Sequence, residues 1–104
     1  MGLMIRLEEE EGYEIAFIEE TELLKPLIPS LDEEGYELLG YVDPYGDTIF
    51  NWSQAELLIN DLERAKGLKA NSTEAVELLE CIILLARQCA EQPHLYLKFL
   101  DANP

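Results

Sequence analysis

The sequence predicts an α+β domain: a small antiparallel sheet, built from an N-terminal hairpin and a C-terminal strand, packed on a two-helix hairpin. Three observations predict it. Apolar residues alternate at Leu3, Ile5 and Leu7 and again at Leu95, Leu97 and Phe99, the period-2 mark of strands with one buried face. Two stretches between them, from Asn51 and from Asn71, carry apolar residues at helical spacing. The helices stand in one block rather than alternating with strands, which separates α+β from α/β. A chain of 104 residues holds one core of ordinary size, so residues 1–104 are expected to form a single domain.

The first strand reads from Leu3 and ends at Glu10-Glu11-Gly12, a turn in which glycine supplies a permissive backbone angle. The second follows over 13–19, where Tyr13, Ile15 and Phe17 alternate with Glu14, Ala16 and Ile18, closing a β-hairpin. Residues 21–42 read as an irregular apolar connector, because Pro26 and Pro29 break any long helix. Ser30, with Glu33 three residues on, is placed to cap one helical turn, and Leu39 to Val42 read as extended. Asp43-Pro44-Tyr45-Gly46 suits a type I or II β-turn. Asn51 with Gln54 and Ser53 with Glu56 both have capping-box spacing for the first helix, whose stripe is Ala55, Leu58, Ile59, Leu62 and Ala65, and whose end is expected at Gly67. Asn71-Ser72-Thr73-Glu74 opens the second helix, again with capping-box spacing. Its face is Val76, Leu79, Ile82, Ile83, Ala86, Cys89 and Ala90, widened by Leu78, Leu84 and Leu85. That breadth predicts a helix covered on more than one side, stopped by Pro93. The last strand covers 94–100 and is expected to join the hairpin, since three strands over a packed face outlast two.

The charge is −15, from 22 acids against seven bases. Residues 1–50 hold fourteen acids and two bases, a net of −12, and residues 51–104 hold eight and five, a net of −3. Such acidity excludes nucleic-acid binding, which needs a basic face to displace counterions from phosphate. An apolar fraction of 48% excludes a disordered acidic tail. No apolar run approaches a membrane span and the N-terminus lacks a signal peptide, so the expected location is the cytoplasm. Cys81 and Cys89 fall eight residues apart on one predicted helix, about 12 Å at 1.5 Å per residue, too far for a mutual disulfide, and both read as small buried hydrophobes.

No phosphate loop, dinucleotide fingerprint, nucleophile elbow, zincin or EF-hand motif is present, so no cofactor is called for and an enzyme is not expected. The most distinctive segment runs from Asp43 to Asn51. It reads either as a turn stitched by its own Asp side chains or as a binding surface, with Asp43 and Asp47 able to share a hard cation. Tyr41, Tyr45 and Trp52 lie beside those carboxylates in sequence, the composition of a hot spot for a cationic partner. His94, the only histidine, reads as a surface residue or as a partner of Asp43 or Asp47.

The strings Asp43-Pro44-Tyr45-Gly46-Asp47-Thr48-Ile49-Phe50-Asn51 with Gln54, and Pro93-His94-Leu95-Tyr96-Leu97-Lys98-Phe99, resemble segments of a group of small acidic uncharacterised bacterial proteins. The resemblance implies no activity and no catalytic residues. In size and acidity the chain also resembles immunity proteins of bacterial toxin systems. If both strings mark one surface, His94 lies next to Asp47.

The expectation is a non-enzymatic binding domain, a monomer or homodimer, that presents Tyr41, Asp43, Tyr45, Asp47, Asn51, Trp52 and His94 and an acidic face to a basic protein. An immunity-like inhibitor of a toxin or nuclease is its concrete form, with a DNA mimic as a variant. The alternatives are a small metal-dependent enzyme using Asp43, Asp47 and His94, or a dimerisation module using a sheet edge.

Overall fold

A computed structural model describes residues 2–102. The hairpin strands are β1 (Leu3–Glu9) and β2 (Glu14–Thr21), and β3 (Thr48–Asn51) leads directly into α1 (Trp52–Leu68). Then come α2 (Thr73–Glu91) and β4 (Leu95–Asp101). Every strand pair is antiparallel, in the order β2-β1-β4-β3. The C-terminal strand joins the hairpin as expected, and pairs along the whole of β1 from Leu3↔Asp101 to Glu9↔Leu95. The sheet has four strands where three were expected. β3 is four residues long and earns its place non-locally, pairing with β4 from Thr48↔Phe99 to Asn51↔Tyr96.

One sheet face carries the core. Leu3, Ile5 and Leu7 of β1, Leu95, Leu97 and Phe99 of β4, and Phe50 of β3 are buried against Leu58 and Leu62 of α1 and Leu79, Ile82 and Ala86 of α2. Phe50 and Phe99 meet edge to face at 5.7 Å and 87°, the geometry an aromatic quadrupole prefers. Among the described residues no helix packs over the other face, as antiparallel sheets permit. Residues paired across strands share a face. Ile5↔Ile18 and Leu7↔Ala16 therefore turn Ile18 and Ala16 of β2 toward the core and leave Tyr13, Ile15 and Phe17 exposed.

The helix starts follow the expected chemistry. Asn51 wins the cap of α1: its side chain accepts from the Gln54 N–H while the Gln54 side chain accepts from the Asn51 N–H, a complete capping box. Ser72 caps α2 alone, accepting from the Ala75 N–H. Three details differ. Gly67 does not end α1. It keeps negative φ, the helix runs on to Leu68, and Lys69 and Ala70 both donate to the Ala65 carbonyl. On α2 Leu78 and Leu85 are buried, the helix being covered by α1 and by the sheet as expected, but Leu84 and Cys81 are exposed. The connector holds two 3-10 turns, Lys25–Leu27 and Leu39–Tyr41, whereas Ser30 and Glu33 close a backbone turn without a helix.

The second 3-10 turn is anchored to α1 by a side chain. Asp61, 2% exposed on α1, accepts hydrogen bonds from the N–H groups of Glu37, Leu38 and Leu39 at 2.7–3.1 Å. A buried carboxylate is tolerated only when hydrogen bonds replace its water, and these do so while seating Leu39 and Val42 in the core. Gly35 makes the adjoining bend at φ +92°, where a Cβ would also strike the Arg64 guanidinium.

Candidate functional site

The Asp43–Asn51 segment is stitched to itself and to β4. The Asp43 carboxylate accepts from the Tyr45 N–H at 2.8 Å, the Asp43 N–H donates to Thr48 Oγ1 at 2.9 Å, and Asp47 accepts from the Asp101 N–H at 3.1 Å. Asn51 is spent as the helix cap. Side-chain oxygens that replace backbone partners in this way define a structural turn.

The sheet register separates the residues that sequence proximity had grouped. Asp47 sits at the Asp101 end of β4, and His94 precedes its other end, seven residues away. At about 3.3 Å per residue the gap exceeds 20 Å. His94 is therefore not beside Asp47, and the expected Asp43–Asp47–His94 grouping does not form. No cluster of three potential metal ligands occurs among the described residues. β3 also parts the aromatics: Tyr45 precedes it and Trp52 follows it. Tyr41, Tyr45 and Trp52 are all exposed, at 64%, 77% and 45%. The cation that Tyr45 receives comes from the chain itself, with Lys25 Nζ 4.6 Å from its ring centre. Asn51 and Trp52 lie at the His94 end, where the His94 carbonyl accepts from the Glu10 N–H at 2.9 Å. That bond ties the last strand to the acidic hairpin turn.

The hairpin is the feature that sequence reading undervalued. On the open face of the sheet Glu8, 5% exposed, is held by Arg6 Nε at 2.9 Å and Lys98 Nζ at 2.7 Å, and Arg6 also reaches Glu14 at 3.1 Å. Glu8 and Glu14 stand opposite each other across β1 and β2, where like charges repel. The Arg6 guanidinium offsets that repulsion. Both bases of this face are thereby committed. Glu10, Glu11 and Glu19 have no base within ion-pair distance among the described residues, and Glu20 bonds only the Gly2 N–H at 3.0 Å. Exposed Tyr13, Ile15 and Phe17 lie between these acids. The signal for this surface was present in the sequence as two alternating apolar sets, only one of which the core could use.

Beside β2, a groove of about 480 Å³ is lined by Phe17, Ile18, Cys81, Leu84, Leu85 and Gln88. Cys81 is exposed, contrary to expectation, and Cys89 is buried as expected; both thiols are free. Burial pushes the Cys89 thiol up to about 11, because a thiolate would lose its solvation there. Between the two helices, Glu63 is lowered by the hydrogen bond it accepts from Lys66, and Lys66 is raised by the same bond. No described helix is long and apolar enough to cross a membrane.

The chain matches no protein-family model, no curated protein and no solved structure.

Proposed function

We propose that this protein is a protein-binding domain whose acidic face engages a basic partner, in the manner of an immunity-like inhibitor of a basic toxin or nuclease acting in the cytoplasm. The observation that carries the reading is the composition of the β1–β2 hairpin. Glu10, Glu11 and Glu19, with no base in ion-pair distance among the described residues, flank exposed Tyr13, Ile15 and Phe17 in the sequence. Carboxylates steer a basic protein during encounter, and desolvated aromatic and aliphatic side chains then hold it. Unbalanced charge of one sign costs stability in the free protein, and a basic partner relieves that cost on binding.

The centre of the proposed surface is the hairpin rather than the Asp43–Trp52 segment, with Trp52 and His94 at its rim and Asp43, Tyr45 and Asp47 toward the other end of the sheet, next to Tyr41 in sequence. The metal-enzyme alternative loses the grouping it required. The test is capture of the partner from the native cell on the immobilised protein, followed by association kinetics at rising salt. A basic partner whose on-rate falls steeply with ionic strength supports the reading; a partner indifferent to salt overturns it.

A further inference from the structure

We infer that the free edge of β2, together with the groove beneath it, is a docking site for an extended basic segment, which adds as a fifth strand and lays its apolar side chains against α2. The inference rests on the proposed binding function and locates its contact.

β2 is an edge strand of eight residues whose pairing with β1 is interrupted by two register shifts, and among the described residues no strand pairs with its outer side. A groove opens between this edge and α2. Cys81, Leu84 and Gln88 of α2, at spacings of three and four, line the groove together with Phe17 and Ile18 of β2, and Leu84 is 60% exposed. A strand placed next to β2 would run along the mouth of this groove, so side chains on its inner face would reach Leu84 and Cys81 while the others faced solvent. Strand addition of this kind takes affinity from main-chain hydrogen bonds and selectivity from pockets for alternate residues.

Charge selects the occupant. Glu14, Glu19 and Glu20 are exposed on β2 itself, and Glu10 and Glu11 stand at its hairpin end. Two copies paired edge to edge would bring these carboxylates together in a dimer of twice the −15 charge, an arrangement that like-charge repulsion opposes. A segment alternating Lys or Arg with Val, Ile or Leu meets them with opposite sign. The edge is thus closed to self-association and open to a basic strand.

The test uses the full chain and an eight-residue peptide alternating Lys and Val, with a Glu/Val peptide as control. Binding is read by fluorescence anisotropy, and groove occupancy by the rate of iodoacetamide alkylation at Cys81. Cys89 is buried and stays silent in that assay. The expected result is binding of the Lys/Val peptide alone, weakened about tenfold or more from low to physiological salt, with alkylation of Cys81 slowed at saturation. Leu84→Gln, an exposed substitution that preserves charge, is expected to weaken binding by about fivefold through lost apolar burial. Amide signals of β2 should gain protection from hydrogen exchange in the complex.

Binding of the Lys/Val peptide with no change at Cys81 or at the β2 amides overturns the docking site while leaving an acidic recognition face intact. Failure of the Lys/Val peptide to bind, or equal binding of both peptides, overturns the inference. So does slowing of Cys81 alkylation by rising concentration of the protein alone, which would identify a second copy as the occupant.

Discussion

Replacing Asp61 with Ala removes the acceptor of the N–H groups of Glu37, Leu38 and Leu39. The Leu39 donor is buried, and the other two are partly so. An orphaned buried donor costs about 1–3 kcal/mol, so three partly relaxing donors amount to about 3–6 kcal/mol. Small domains have only about 5–15 kcal/mol in total, so Asp61→Ala should lose a large part of the stability. Asp61→Asn is milder. Its amide oxygen can occupy the position of Oδ2, which takes all three donors, leaving the amide nitrogen against the Glu37 N–H. The loss should be about 1–2 kcal/mol from weaker, uncharged bonds. Urea unfolding followed by circular dichroism measures both, and native-state hydrogen exchange at Leu39 locates the effect. The sign is informative, because removing a carboxylate from a chain of net charge −15 relieves repulsion and, away from such contacts, should stabilise. An Asp61→Ala protein as stable as the parent, or more stable, would refute the claim that this carboxylate seats the 3-10 turn.

Three further outcomes follow from the same contacts. The Cys89 thiol titrates near 9 when unfolded and about 11 when folded, so the folded state retains its proton between these values. The Cys89 contribution to stability should therefore be constant below pH 9 and fall as pH rises toward 11, by an amount on the order of 2–3 kcal/mol, and Cys89→Ala should remove that part of the slope in urea titrations. Glu8→Ala leaves Arg6 and Lys98 facing each other with their shared carboxylate gone. It should destabilise by about 2–4 kcal/mol, whereas Glu11→Gln should not destabilise at all. Asn51→Ala removes the oxygen that caps α1 and should cost about 1 kcal/mol, with fraying read at the Gln54 amide by hydrogen exchange.

Much of the architecture was legible because its signals are local. Alternation at Leu3–Leu7 and Leu95–Phe99 marks strands whose cores are one-sided, and the Asn51–Gln54 and Ser72 caps are written within four residues. The missing parts depend on distant partners. β3 is too short to show a period and exists because β4 pairs with it. Both alternating sets of β2 contain apolar residues, so only the register with β1 decides that Ala16 and Ile18 face inward. Asp61 is a lone carboxylate on an apolar stripe, and its donors lie 22 to 24 residues earlier. The Asp43–Asn51 segment, which its sequence leaves open between a stitched turn and a binding surface, is stitched by its own side chains. Its expected neighbour, His94, lies at the opposite end of β4, because a strand that unites two motifs in one sheet also holds its two ends apart. Leu84 fits the helical stripe and Cys81 lies within its apolar stretch, but both face the groove beside β2 and are exposed.

The most direct test of the central claim compares association of the basic partner with the parent protein and with a Glu10→Gln, Glu11→Gln, Glu19→Gln variant, by stopped flow across ionic strength. These three side chains have no base beside them among the described residues, so the fold should be retained. The account predicts an on-rate lowered by about tenfold at low salt and a shallower salt dependence in the variant. Equal on-rates with equal salt dependence would contradict it.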